Sequence, residues 1–372
     1  MTVRDQDPMT PPNDPPSLAL RAALAEAESA GDLVAQNVLL GRLGRALLGE
    51  DETLPALACF EQGLKIAQQL DDKEAGARHL ANQGMALGQI GNYTLALRAF
   101  RKAFAFAKEL AHEPMEYDLL LHMADLERAR KSPESAIGHL DEALLLAERH
   151  GSPGRALRVQ LAYGQACWDL DEMESAVEHF ETALTLAREV GDLAAQSQCL
   201  NTLGGFARAR RDPAQAAALF EQALALSPAA HTPRQRLALV AQLGDIRFGQ
   251  GELESSGRFF EEGVTLAREV GDRESEARLI GSLGLIAADL GDPERALALA
   301  GQAVDLARVI GEPRLHGEQL LFQALALADV GQAEAALTAC EAAITFFEGI
   351  EASSLVQKAY DLKERLTADD AD

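Results

Sequence analysis

Steps of forty residues from Gly44 reach Gly84, Ala124, Gly164, Gly204, Gly244, Gly284 and Ala324, and each is Gly or Ala. Twelve residues after each lies Ala56, Ala96, Ala136, Ala176, Ala216, Ser256, Ala296 and Ala336. Sixteen after lies Phe60, Phe100, Leu140, Phe180, Phe220, Phe260, Ala300 and Cys340. Nineteen after lies Gly63, Ala103, Ala143, Ala183, Ala223, Gly263, Ala303 and Ala343. Four columns thus hold register through eight units of 40 residues without an insertion. Self-similarity at a fixed period of this size means stacked supersecondary units. The clearest local echo is LTLAREVGD at 184–192, which returns as VTLAREVGD at 264–272.

Each unit reads as two helices, because its apolar residues recur at spacings of three and four. Leu161, Gly164, Cys167 and Trp168 mark a first helix, and Ala176, Phe180, Ala183 and Ala187 mark the second. The turn inside a unit carries breakers and caps, such as Ser132-Pro133, Asp212-Pro213 and Asp292-Pro293. An acid or Ser at the N-cap followed by Pro at the first helical position starts a helix. Gly31-Asp32, Gly191-Asp192 and Gly271-Asp272 mark the turn between units. There Gly supplies the left-handed residue and Asp caps the next helix. Small residues let helices cross closely, and the Phe column is expected to fill the space between successive units. No helix pair can bury its apolar face alone, so the units must stack. The fifth unit departs with SPAAHTPR at 227–234, and its prolines predict a second helix that ends early.

The columns resemble the tetratricopeptide repeat (TPR) family, whose motif has a large residue, Leu-Gly, an aromatic, then Ala, Phe and Ala. The fifth unit gives Leu200, Leu203-Gly204, Ala216, Phe220 and Ala223, and the sixth gives Val240, Leu243-Gly244, Ser256, Phe260 and Gly263. The family's common unit is about 34 residues, and this one is 40. It is therefore similar to the long-helix members: kinesin light chains, Pins-type scaffolds, and Rap-type and MalT-type regulators. The resemblance implies an all-α, right-handed α-solenoid. It would comprise eight helix-turn-helix units, an N-terminal half-repeat helix and a C-terminal capping helix. The expected organisation is a Pro-rich disordered tail at 1–16, the solenoid at 17–367 and a frayed acidic tail at 368–372.

Charge narrows the partners. The formal net charge is -24, opposite to the basic footprint that phosphate neutralisation demands. Nucleic acid and anionic membranes are therefore not expected partners. No run of eighteen apolar residues suggests a span, and residues 1–17 lack the apolar core of a signal peptide. Cys59, Cys167, Cys199 and Cys340 form no CxxC and read as packed, reduced thiols of a cytoplasmic protein.

No phosphate loop, GxGxxG or HExxH occurs, and the eight histidines do not pair at metal-ligand spacing. The expectation is no enzyme, no metal and no cofactor. The resemblance instead implies that the first helices line a concave groove that holds a protein or peptide. Exposed groove positions in units one to five would carry Arg45, Arg78, Arg128, Arg158 and Arg208, against Asp118, Asp125 and Asp169. Units six to eight would carry Arg278 against Asp245, Asp289, Glu318 and Asp329. Four residues after the Gly column stand Arg128, Trp168, Arg208 and Phe248, residue types common at binding hot spots. The resemblance places Asn82 and Asn201 at positions used by the family's carboxylate clamp, but no matching lysines accompany them. The expected function is a scaffold that holds an acidic or amphipathic segment of a partner. The other reading is a peptide sensor resembling the Rap-type regulators and acting through a partner. The sixteen residues before the first helix read as too few for an effector domain, so the expectation is a scaffold or a sensor acting through a partner.

Overall fold

A computed structural model describes residues 16–226 and 231–369. Among these the chain forms eighteen α-helices, α1 to α18, and no strand. Most of the tail assigned to 1–16 lies outside the described residues, as do Ser227–Ala230 and the last three residues. The last helix runs to Asp369, past the boundary expected at 367. No described helix is long and apolar enough to cross a membrane. The fold is an all-α solenoid of repeats, and it divides into two compact units at 190/191.

The first unit holds α1 (Pro16–Ser29) and four helix pairs: α2 (Leu33–Gly49) with α3 (Thr53–Gln69), α4 (Lys73–Gln89) with α5 (Tyr93–Glu109), α6 (Glu113–Ala129) with α7 (Pro133–Arg149), and α8 (Pro153–Asp169) with α9 (Met173–Val190). The second unit mirrors this count. Its pairs are α10 (Leu193–Ala209) with α11 (Pro213–Leu224), α12 (Pro233–Gly249) with α13 (Leu253–Val270), α14 (Arg273–Asp289) with α15 (Pro293–Ile310), and α16 (Pro313–Asp329) with α17 (Ala333–Gly349), closed by α18 (Ser353–Asp369). In the first unit α2 touches α4, α4 touches α6 and α6 touches α8, so the first helices of successive pairs form its crowded side.

The Gly and Phe columns meet inside each pair. A Cβ added at Gly84, Gly164 or Gly204 would stand 2.8, 2.7 and 2.5 Å from the rings of Phe100, Phe180 and Phe220. Gly44 and Gly244 are covered in the same way by Phe60 and Phe260. The sequence placed these rings between units; the structure seats each first on the glycine of its own pair. The reason is that a helix without a Cβ is the one surface flat enough to take a ring at a crossing. Phe60 then also joins Ala86 of α4, and Phe100 joins Tyr117 and Leu120 of α6. Ser256, the one polar member of its column, is fully buried and donates to the Gly244 carbonyl at 2.8 Å. That bond replaces the water its hydroxyl loses.

Capping follows the expected chemistry. Asp32, Asp72, Asp192, Asp212, Asp272 and Asp292 each accept a backbone N–H three residues on. The fifth pair's second helix, α11, has 12 residues where α9 and α13 have 18. The chain re-enters helix at α12 through a full capping box of Thr232 and Gln235.

The turns have half the period of the side chains. A left-handed residue stands at every twentieth position from Gly31 to Arg211 and from Gly251 to Glu351. Turns within pairs and turns between pairs therefore share one geometry. Nine of these positions are Gly, while Ala111, Lys131 and Arg211 hold φ of 50°, 61° and 61° with ordinary side chains. That conformation costs an L-residue about 1–2 kcal/mol, and glycine's larger unfolded entropy offsets part of the relief. Ala111→Gly and Lys131→Gly should therefore each raise stability by about 0.5–1 kcal/mol. Urea midpoints measured for both check this; midpoints that fall would show that the side chains outweigh the strain.

Candidate functional site

The expected site residues all lie on first helices: Arg45 on α2, Arg78 on α4, Arg128 on α6, Arg158 and Trp168 on α8, Asn201 and Arg208 on α10, and Phe248 on α12. They divide between the two units, five in the first and three in the second.

Trp168 is 50% exposed, an unusual state for an indole on a packed helix. Its neighbour across the pair boundary is occupied. Arg128 donates through Nε to Asp169 at 2.8 Å and through Nη1 to Gln165 at 2.5 Å. Its side chain is only 20% exposed, so the expectation of an open Arg128 is corrected. The fork finds its partners on α8, one repeat later. Arg158 is exposed and pairs with Asp118 at 3.3 Å, its guanidinium 5.6 Å from the Tyr117 ring centroid. In both cases an acid counted as an opposing groove charge is the arginine's own partner.

In the second unit, Asn201 is half-buried and its Oδ1 accepts from Gln242 Nε2 at 3.3 Å. Arg208 is exposed. Burial pushes the Asp245 carboxyl above its ordinary range, and the Arg208 charge acts against that rise. Phe248 is half-buried and packs against the apolar cluster around Val240 and Phe260. Its ring is part core and part surface.

Arg45 and Arg78 are brought together. A cleft of about 230 Å³ opens between α2 and α4, and both arginines line it. Arg42, Asn82 and Val38 line it as well, and no carboxylate does. Arg78 pairs with Glu74 of its own helix at 3.2 Å. Arg42 and Arg45 form no ion pair among the described residues.

The floor of this cleft includes His79, which is 3% exposed. Asn37 Nδ2 donates to the Gly63 carbonyl at 2.8 Å, which turns Asn37 Oδ1 toward His79 Nε2 at 3.2 Å. The Nε2 therefore carries the proton, and Nδ1 is a bare acceptor with no partner. Burial, reinforced by the Arg78 charge, pushes the imidazole down to about 4 against the pull of Asn37. Two glycines make room for the ring. A Cβ at Gly63 would collide with it, and one at Gly41 would lie 3.3 Å from its Cε1 and 3.9 Å from Arg45 Nη1.

Neither Arg42 nor the role of His79 was expected. The signal was present in one column, five residues before the Gly column: Leu39, His79, Leu119, Val159, Cys199, Leu239, Leu279 and Gln319. Six are apolar or thiol, and the two polar exceptions are both buried with an unpaired acceptor, His79 Nδ1 and Gln319 Oε1.

No curated protein matches this sequence. Among solved structures, a signal transduction ATPase with numerous domains and a tetratricopeptide repeat sensor, from Pyrococcus horikoshii, superposes with a TM-score of 0.65 at 13% identity. The match covers 94% of this chain and 52% of that one, so the chain spans about half the length of the Pyrococcus protein. The apo form of RapI superposes with a TM-score of 0.51 at 16% identity, over 74% of this chain and 98% of RapI. At such identities the likeness is one of fold. The sequence model of the tetratricopeptide repeat matches residues 116–189, 155–229 and 236–308, more than half of the chain. With its helix pairs and its Gly, Ala and Phe columns in register, the chain belongs to the tetratricopeptide repeat family.

Proposed function

We propose that the chain is a non-enzymatic scaffold that holds an acidic or amphipathic segment of a partner protein against its first helices. The observation that carries this reading is Trp168, a half-exposed indole on α8 whose chain neighbour Asp169 pairs with Arg128. Trp and Arg are among the residue types most enriched at binding hot spots. The three buried cysteines and the half-buried Cys59 are all free, which supports a reducing compartment such as the cytoplasm. Arg128→Glu would break the Asp169 pair as well as any ligand contact, so the test uses Trp168→Ala with its melting curve measured alongside. The immobilised chain should capture a defined protein from extracts of its source cell, and Trp168→Ala should capture less of it by about tenfold or more. Helicity should stay unchanged. The emission of this single indole should also shift when the captured protein is added. Equal capture by the variant, with no spectral shift, would sink the reading.

A sensor is the second reading, favoured by the likeness to the Pyrococcus protein's repeat sensor. It separates from the scaffold on one point: a sensor changes its small-angle scattering profile on binding a short peptide, and a passive scaffold does not.

A further inference from the structure

A second cleft, of about 220 Å³, opens at the turn between α3 and α4. Its volume lies below the roughly 300 Å³ at which sites for whole small molecules begin. It suits one side chain of a larger partner. Leu64, Ala67 and Phe106 line it with apolar surface, and Leu64 and Phe106 are only half-buried. Asp71 and Asp72 line it with carboxylates, and both are exposed. Asp72 spends one oxygen on the Ala75 N–H at 2.9 Å and keeps the other. Neither acid forms an ion pair among the described residues. Lys73 lines the cleft too, but Glu109 holds its ammonium at 2.7 Å.

The other repeats show what this cleft lacks. Five periods on, the columns of Gln68 and Gly76 hold Arg268 and Glu276, joined at 2.5 Å across the turn from α13 to α14. Lys108, Arg188 and Arg308 also stand in the Gln68 column, in the last turns of α5, α9 and α15. A cation there meets the negative end of its helix. The last turn of α3 has no basic residue. Gly76 is the only glycine in its column, where Gln36, Glu116, Gln196, Glu276 and His316 carry longer side chains. The His316 ring packs on Phe346, the counterpart of Phe106, with centroids 4.5 Å apart. Gly76 offers Phe106 no such cover. The turn departs as well. Asp71 holds a left-handed φ of 53° in a column where Gly31, Gly151, Gly191, Gly271 and Gly311 stand. An acid kept where glycine fits without strain points to a use for its carboxylate.

We propose that this cleft receives one arginine side chain of a partner protein, its stem over Leu64 and Ala67, its guanidinium on the Phe106 ring and its fork on Asp71 and Asp72. The incoming arginine supplies at the first turn what Arg268 supplies in the sixth pair. A planar guanidinium stacks on an aromatic ring and grips carboxylates in pairs, and an ammonium lacks that fork. The net charge of -24 draws a basic partner toward the surface. The inference goes beyond the scaffold reading. The cleft belongs to α3, α4 and α5 and shares no residue with the Trp168 region of α8, so either reading can fail alone.

The test uses the full chain and blocked tripeptides, acetyl-Ala-X-Ala-amide with arginine, lysine or citrulline at X. The arginine probe should move the Asp72 and Gly76 amide resonances saturably in nitrogen-15 spectra. Citrulline, which keeps the shape and loses the charge, should move neither. Lysine should bind more weakly by about threefold or more. Asp71→Gly gives the turn the residue common in its column, so the fold should hold while arginine binding weakens by about threefold to fivefold. Gln68→Arg with Gly76→Glu rebuilds the Arg268–Glu276 pair inside the cleft at unchanged net charge and should abolish the shifts. Glu189→Gln removes an exposed acid on α9 and should leave the affinity unchanged, as should Trp168→Ala. Absence of saturable shifts, equal binding of lysine, equal losses in Glu189→Gln and Asp71→Gly, or shifts that survive the filled cleft each overturn the proposal, even where partner capture through Trp168 persists. Should the double variant fail to fold, arginine binding indifferent to Asp71→Gly overturns it instead.

Discussion

Phe220→Ala should destabilise the protein by about 3–5 kcal/mol, the largest loss expected from one side chain. The ring is fully buried and sits on the bare backbone of Gly204, so nothing small can move in to refill its place. The cavity forms at the crossing of α10 and α11. In a stacked array each pair touches only its neighbours, so the damage should spread outward from the fifth pair rather than lower the whole chain evenly. Hydrogen exchange should accordingly lose protection first in α10 and α11. Adding bulk on the other side is harmful too: Gly204→Ala puts a Cβ 2.5 Å from the fully buried ring, so something must shift. Melting and urea curves of Phe220→Ala that overlay wild type would remove the column from the core.

Acid should destabilise the fold through buried histidines, with His79 the largest contributor. Its folded value is about 4 and its unfolded value about 6.5. Between those values the unfolded chain binds the proton and the folded chain does not. Stability then rises with pH, so the contribution is full above about 6.5 and is lost as the pH falls toward 4. For a shift of this size the integrated loss is about 3 kcal/mol. Burial lowers His139, His179 and His316 in the same direction. Asp125 and Asp245, whose carboxyls burial raises, act in the opposite sense at the acid end. Urea titrations from pH 7 to pH 5 should show the loss, and His79→Leu should flatten the slope. The variant's absolute stability also carries the lost Asn37 bond, so the slope is the diagnostic quantity. An unchanged slope would place the titrating groups elsewhere.

The architecture was legible because it is written eight times. A column such as Gly84 to Gly244 tests itself at each step, and a helix start such as Asp212-Pro213 carries its mechanism in two residues. The site was less legible for a different reason. Arginine has four rotatable bonds, and its fork is placed by whatever acid stands one repeat away. Counting signs on a helix face set Asp169 against Arg128, whereas the fold joins them. Arg45 and Arg78 were found because short spacing rules place them on one face. Arg42 escaped because it falls one position outside the assumed face. The floor of the cleft depends on two glycines, Gly41 and Gly63, that share a contact only once α2, α3 and α4 are packed.

The turns carry no record of which helix they follow. A left-handed residue recurs every twenty positions whether the chain is leaving a first helix or a second one. Only side chains tell the two apart, through glycine on one and phenylalanine on the other. Joining residue 250 to residue 291 would therefore excise α13 and α14 and set α12 directly before α15, a first helix before a second, with an unstrained turn between them. Excising twenty residues would make an equally good turn but lay glycine on glycine and leave the rings without seats. Array length in this chain is thus free to change in whole helix pairs and blocked in halves. The backbone permits both changes, and the packing rejects one of them.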